Sequence, residues 1–132
     1  MNTRRVCATL VFVWLGIIAM GYANAQEVTL TKAVICREIV DRGPVGVGEV
    51  FPAGTERVFC YTMIDGAQGE TSITHNWYHE GSLKASVVLP VRGPSWRTWS
   101  SKTLRPEWTG EWMVEVLGKD GAPLESIRFA IQ

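Results

Sequence analysis

The sequence predicts an all-β protein: an immunoglobulin-like antiparallel β-sandwich of about seven strands, preceded by a signal peptide. Three observations carry that expectation. Beyond residue 26, apolar residues recur with a period of two almost throughout, the spacing of half-buried strands. Gly, Pro and Asp clusters break these runs at short intervals, as turns do. Many short strands separated by turns pack most simply as two face-to-face sheets.

Residues 1–25 read as the signal peptide. Arg4 and Arg5 supply a positive n-region, Val6 to Met20 an apolar run, and Ala23-Asn24-Ala25 a small-x-small cleavage site. The run falls short of the ~20 residues of a spanning helix, so membrane contact is expected only during export. An uncleaved N-terminal anchor is the alternative. Cleavage leaves residues 26–132 as a single β-sandwich domain, periplasmic or secreted, and long enough for one core. The whole chain carries 13 basic and 13 acidic side chains, and removing Arg4 and Arg5 leaves a slight acidic excess. That balance gives no electrostatic reason to expect nucleic acid.

The elements follow in order. Val28, Leu30, Val34 and Cys36 share a parity, interrupted by Lys32, and suggest a strand over 28–38. "RGPVGVGEVFPAGTE" reads as a long connection without regular structure. Residues 57–64, "RVFCYTMI", are apolar on both parities, as an interior strand is. "DGAQGE" turns the chain into alternating Ile73, His75, Trp77 and His79. "EGS" turns it again, and Leu83, Ala85, Val87 and Leu89 alternate with polar neighbours. "PVRGP" breaks the ladder, since proline removes a donor, and a strand over 95–103 follows. "RPEWTGE" is a corner before a strand with Trp112, Val114 and Val116 on one side. "GKDGAP" signals a hairpin, and Ile127, Phe129 and Ile131 close the domain.

Little in this pattern points to catalysis. Cys36 and Cys60 remain after processing, and in an oxidising compartment the expected state is a Cys36–Cys60 disulfide; two separate buried thiols are the alternative. His75 and His79 are four apart, but on a strand such residues lie ~13 Å apart along the chain, too far to share an ion. No metal and no cofactor are therefore expected. There is no G-x-S-x-G, no phosphate loop and no paired-carboxylate signature, so the chain is read as a non-enzyme. A hydrolase would need His75, Glu107 and a hydroxyl brought into hydrogen-bonding reach.

The tryptophans are the distinctive feature: "WRTWSSKTLRPEWTGEW", residues 96–112, holds four of them. Trp77 lies on a strand of mixed polarity and Trp112 shares its side with Val114 and Val116; both are expected in the core. Trp96 and Trp99 must take opposite faces of a regular strand. Trp96 keeps the parity of Thr98, Ser100 and Lys102, so Trp99 is expected inside and Trp96 toward water. Trp108 sits in a corner that is hard to bury. Trp96 and Trp108, with Arg97, Lys102 and Arg105, are the candidate ligand-binding residues. The indoles would stack on sugar rings or meet a protein partner. Alternatively, an arginine covers an indole by cation–π packing, with no ligand.

"AVICREIVDRGPVGVGEVFPAGTERVFCYTMI", "HNWYHEG" and "PVRGPSWRTWSSKTLRPEWTGEWMVEVLGKDG" resemble the bacterial domain-of-unknown-function 2914 family, from about Ala33 to Ile131. The tract W-R-T-W-S-S-K followed by P-E-W-T-G-E-W carries most of that likeness. The resemblance implies a small β domain of envelope or membrane-associated proteins with no established activity. It also implies cysteines at positions 36 and 60 among close relatives, and it supplies no catalytic residues.

The expected role is an exported, non-catalytic binding or interaction module of the bacterial envelope. Its partner would be an envelope glycan or a protein, met through exposed tryptophans. The alternative is a structural or assembly accessory domain of a membrane complex, docking by a sheet edge or aromatic patch. A hydrolase is the third possibility.

Overall fold

The computed structural model describes residues 28–132. The signal peptide expected over residues 1–25 lies outside the described residues. Ten strands follow in order: β1 (Thr29–Cys36), β2 (Glu38–Val40), β3 (Gly43–Val45), β4 (Val50–Phe51), β5 (Arg57–Asp65), β6 (Thr71–His79), β7 (Ser82–Val91), β8 (Ser95–Thr103), β9 (Gly110–Leu117) and β10 (Pro123–Ile131). Among the described residues there is no helix. β1, β5 and β8 form one sheet in the order β1-β5-β8; the other runs β4-β10-β9-β6-β7, and β2-β3 is a separate hairpin. The fold is a β-sandwich. Its seven long strands are those expected, and β2, β3 and β4 are short additions.

The expected long connection is therefore partly structured. Asp41 and Arg42 turn the β2–β3 hairpin with φ of 50° and 61°, a left-handed pair that usually selects Asn-Gly. Tyr61 holds the turn, its hydroxyl donating to the Arg42 carbonyl at 3.0 Å. The hairpin thus covers part of the outward face of β5, which is why "RVFCYTMI" is apolar on both parities. Tyr61 is buried although it points away from the other sheet.

The order of the long strands differs from a constant immunoglobulin domain in one respect. There the fourth strand lies beside the fifth, whereas here the fourth, β7, pairs with the third, β6. The two-residue Glu80-Gly81 turn, with φ of 47° and 80°, makes a tight hairpin and keeps β7 in the sheet of β6. Between the sheets lie two contiguous clusters. One gathers Ile35, Phe51, Val58, Cys60, Trp77, Trp112, Val114 and Phe129; the other gathers Ile64, Ala67, Ile73, Val91 and Val116.

The expected Cys36–Cys60 disulfide is not formed; both residues are free and buried. The register explains why. Cys60 lies opposite Ile35 and Cys36 opposite Phe59, and directly opposed residues share a face. Cys60 therefore points between the sheets with Ile35, and Cys36 points the other way, against the β2–β3 hairpin. The parity that joined Cys36 to Leu30 is broken by a bulge between Leu30 and Lys32, where one extra residue flips every later side chain. Burial pushes both thiols up; for Cys36, hydrogen bonds with the backbone of Val45 and Glu38 oppose the shift.

Candidate functional site

The register of β8 decides where its tryptophans go. Trp96, Ser100 and Lys102 lie opposite Ile64, Cys60 and Val58, the inward residues of β5, and Trp99 lies opposite Tyr61 on the outward face. The expectation for this pair is reversed. Trp96 is half-buried and packs on the second core cluster. Trp99 is half-buried on the outside, its ring stacked on Tyr61 at 6.2 Å. The polar residues that made Trp96 look solvent-facing are themselves interior. Thr98 and Ser100 are 9 % and 6 % exposed.

They are accommodated by a chain of side-chain hydrogen bonds between the sheets. Thr62 donates its only hydroxyl proton to the Thr98 carbonyl at 2.8 Å. Its oxygen can then only accept, from Nε2–H of His75 at 3.4 Å. Nδ1 of His75 is left as an acceptor, and the Ser100 hydroxyl donates to it at 2.6 Å. Ser100 in turn accepts from the Trp77 indole at 3.0 Å. The imidazole is thus neutral and of one tautomer. Burial lowers its pKa from 6.5 to about 4. No buried side-chain nitrogen or oxygen among the described residues lacks a partner.

This Ser100–His75 couple has catalytic elements but no access. His75 is 0 % exposed, and both its nitrogens are engaged by hydroxyls. Glu107, which the hydrolase constellation required, is exposed in the β8–β9 corner and does not join it. His79 is likewise committed: its Nε2 donates to the Thr109 carbonyl at 2.7 Å, and its ring stacks on Trp112 at 4.7 Å. Among the described residues no three His, Cys, Asp or Glu side chains are grouped to hold a metal.

The corner between β8 and β9 is where exposed chemistry concentrates. Leu104 is buried and anchors it, its N–H donating to the Glu56 carbonyl at 2.8 Å. The Trp108 N–H closes a turn onto the Arg105 carbonyl at 3.0 Å. The Trp112 indole donates to the Trp108 carbonyl at 2.9 Å. Glu80, in the β6–β7 turn, accepts from the Glu111 N–H at 2.9 Å through its carboxylate and donates its own N–H to the Glu111 carbonyl. The two corners "HNWYHEG" and "RPEWTGEW" are thus one interlocked structure. Gly110 suits that frame: its φ is 102°, which strains any residue with a Cβ, and a Cβ would push the Glu80 carboxylate aside.

This frame presents Trp108, half-buried against the first core cluster. Three cations surround its ring: Lys84 Nζ at 5.3 Å, Lys102 Nζ at 5.2 Å and Arg105 Cζ at 5.0 Å from the centroid. Each reaches it for a different reason. Lys102 has inward parity at the end of β8, so it leaves the sandwich at its open end. Arg105 belongs to the corner. Lys84 is the extra residue of a bulge in β7, where Trp77 pairs with Ala85 and Tyr78 with Leu83; bulges re-aim side chains in this way.

The three cationic centres are therefore no more than about 10 Å apart. A cation–π contact at an exposed site contributes about 0.5–1 kcal/mol. Repulsion between unit charges ~10 Å apart costs about 0.4 kcal/mol in water, and more where they lie closer. The indole thus tolerates the cluster without neutralising it. Among the described residues the ion pair found is Arg92–Glu70 at 3.3 Å, and no carboxylate pairs with Lys84, Lys102 or Arg105.

Of the candidate residues, the structure brings Lys102, Arg105 and Trp108 together and leaves Trp96 and Arg97 out. Arg97 is exposed on the outward face, opposite Met63. Lys84 was missed, because nothing in "GSLKAS" marks the bulge that aims it. From Trp108 a run of rings leads inward through Trp112, Phe129 and Trp77, with centroids 6.0, 5.9 and 6.2 Å apart in turn.

No curated protein matches the chain. Residues 70–131 match the family described as "Protein of unknown function (DUF2914)". That span takes in β6 to β10 with both interlocked corners, and β1 to β5 lie outside it. Over these residues the chain is similar to that family.

Proposed function

We propose that the protein is an exported, non-catalytic binding or interaction module of the bacterial envelope, periplasmic or secreted. It engages an envelope glycan or a protein partner at the Trp108 patch. One observation carries this reading: Trp108 is held by a rigid corner at the surface, with three unneutralised cations around its ring. A side chain needed only as filling does not require such a setting. The experiment is a titration of the protein with fractionated envelope glycans and proteins, followed by tryptophan fluorescence. The expected result is a saturable response that Trp108→Ala loses and Trp96→Ala keeps, with folding of both variants checked by circular dichroism. A panel with no response, or a response that Trp108→Ala retains, overturns the reading.

A second reading, an assembly accessory of a membrane complex, is favoured by the opposite side of the sandwich. β1 is an edge strand, and β10 is covered by β4 only at Ala130 and Ile131. Ala33–Ile35 and Glu125–Arg128 line a groove between these edges, beside the exposed Val47. Unpaired strand edges accept added strands. Crosslinking from substitutions at Ser126 would capture the partner complex; substitutions around Trp108 would not disturb that capture.

A further inference from the structure

The cations around Trp108 say what kind of ligand fits. A neutral sugar would stack on a bare indole face, and this indole is not bare. Lys84, Lys102 and Arg105 each lie over the ring. What the site offers is a compact positive field backed by an aromatic surface. It has no carboxylate counter-ion among the described residues.

We propose that Lys84, Lys102, Arg105 and Trp108 bind an acidic sugar, a pyranose carrying a carboxylate, sulfate or phosphate, within a polyanionic glycan. This rests on the reading of the Trp108 patch as the binding site and specifies its ligand. The anionic substituent sits among the three cations, and the indole backs them. The arrangement favours a sugar over an acidic peptide. An extended peptide needs cations in a row along its length, with same-side groups ~7 Å apart. Here the cations come from β7, the end of β8 and the corner, and converge on one ring instead of lining a track.

Two features make the site prepared rather than accidental. The corner is braced by the Trp108–Arg105, Trp112–Trp108 and Glu111–Glu80 hydrogen bonds, so Trp108 pays little ordering entropy on binding. And the bulge in β7 delivers Lys84 to the ring at the expense of regular pairing.

The test measures binding of the full chain to four probes: an alginate oligomer, dextran sulfate, neutral dextran and poly-glutamate. Alginate and dextran sulfate are expected to bind and neutral dextran not to. Raising salt from about 50 to about 300 mM is expected to raise Kd at least about ten-fold. Lys84→Gln, Lys102→Gln and Arg105→Gln keep the stems packed and remove the charges. Each is expected to weaken binding about three-fold, and the triple variant at least about ten-fold. Arg97→Gln, the same charge change on the outward face, is expected to leave Kd unchanged.

Neutral dextran bound as tightly, salt-independently and through Trp108, would overturn the acidic ligand while leaving the site in place. Poly-glutamate bound as tightly as alginate would overturn the sugar. Polyanion binding that survives the triple variant would overturn the proposal. If it also survived Trp108→Ala, the proposed function would fall with it.

Discussion

The Ser100 hydroxyl lies 2.6 Å from Nδ1 of His75, with the two residues 6 % and 0 % exposed to solvent. The contact joins β8 of one sheet to β6 of the other. A serine–histidine pair on a surface would invite a catalytic explanation; here every proton of the chain from Trp77 to the Thr98 carbonyl is already assigned.

Stability should therefore depend on pH through His75. Burial lowers the folded-state pKa from 6.5 to about 4. Between those values the unfolded chain binds a proton that the folded protein does not. The stabilisation is complete above the unfolded value and is lost as pH falls toward the folded one. Its size is about 3 kcal/mol. Urea midpoints at about pH 7 and pH 4.5 should fall with acid in the wild type and fall less in His75→Gln. Equal slopes in both proteins would contradict the assignment.

The serine end of the same chain has a separate signature. Ser100→Ala removes the acceptor of the Trp77 indole and the donor to His75 at once. A buried donor left unpaired costs about 1–3 kcal/mol. Denaturant unfolding should show a loss of that size. Ser101→Ala, on the exposed outward face, should show almost none.

The thiols give a chemical test of the β1–β5 register. Cys36 and Cys60 should both alkylate in denaturant without any reductant, and neither should react in the folded protein. Intact mass reports the number of adducts. A protein whose two thiols alkylate only after reduction would carry the bridge that this register disfavours.

Gly110 and Gly54 separate strain from collision. Both have positive φ, 102° and 91°, but a Cβ at Gly54 meets nothing within 4 Å, whereas one at Gly110 strikes Glu80. Gly54→Ala should cost about 1 kcal/mol. Gly110→Ala should cost more, about 2–3 kcal/mol, because it also displaces Glu80 from the Glu111 N–H. Thermal melts of the two variants make the comparison; equal losses would mean the corners are not interlocked.

The cations around Trp108 should bias collisional quenching. Iodide is drawn to the positive field and caesium repelled, so iodide should quench the accessible fluorescence more strongly. The difference should shrink in Trp108→Phe and at high salt. Trp77 and Trp112, 0 % and 1 % exposed, should stay dark to both ions.

Much of the fold was legible. The strand expected over 95–103 is β8 with the same bounds, because Gly93-Pro94 precedes it and Pro106 follows it. Trp77, Trp112, Val114 and Val116 are interior as their parity indicates. What failed had physical causes that one strand's pattern does not carry. Thr98 and Ser100 look solvent-facing until their partners His75 and Trp77, contributed by another strand, are present. The bulge after Leu30 reversed the parity of Cys36, and Lys32 was its only visible trace. The Asp41-Arg42 turn has no glycine to announce it. The grouping of Lys102 and Arg105 with Trp108 was legible because charge and indole recur in one short tract; Lys84 comes from a distant strand, and its approach to the ring was not.

The chain from Trp77 through Ser100 and His75 to Thr62 also sets how the two layers sit on one another. Greasy contact alone is indifferent to direction and would let facing layers slide. Donors and acceptors that must meet at fixed angles remove that freedom. A shift of β6 along β8 by one pleat would strand an indole proton and an imidazole in a dry interior. The polar seam thus acts as a locating pin, holding β6 and β8 in the alignment that puts Lys102 beside the corner bearing Trp108.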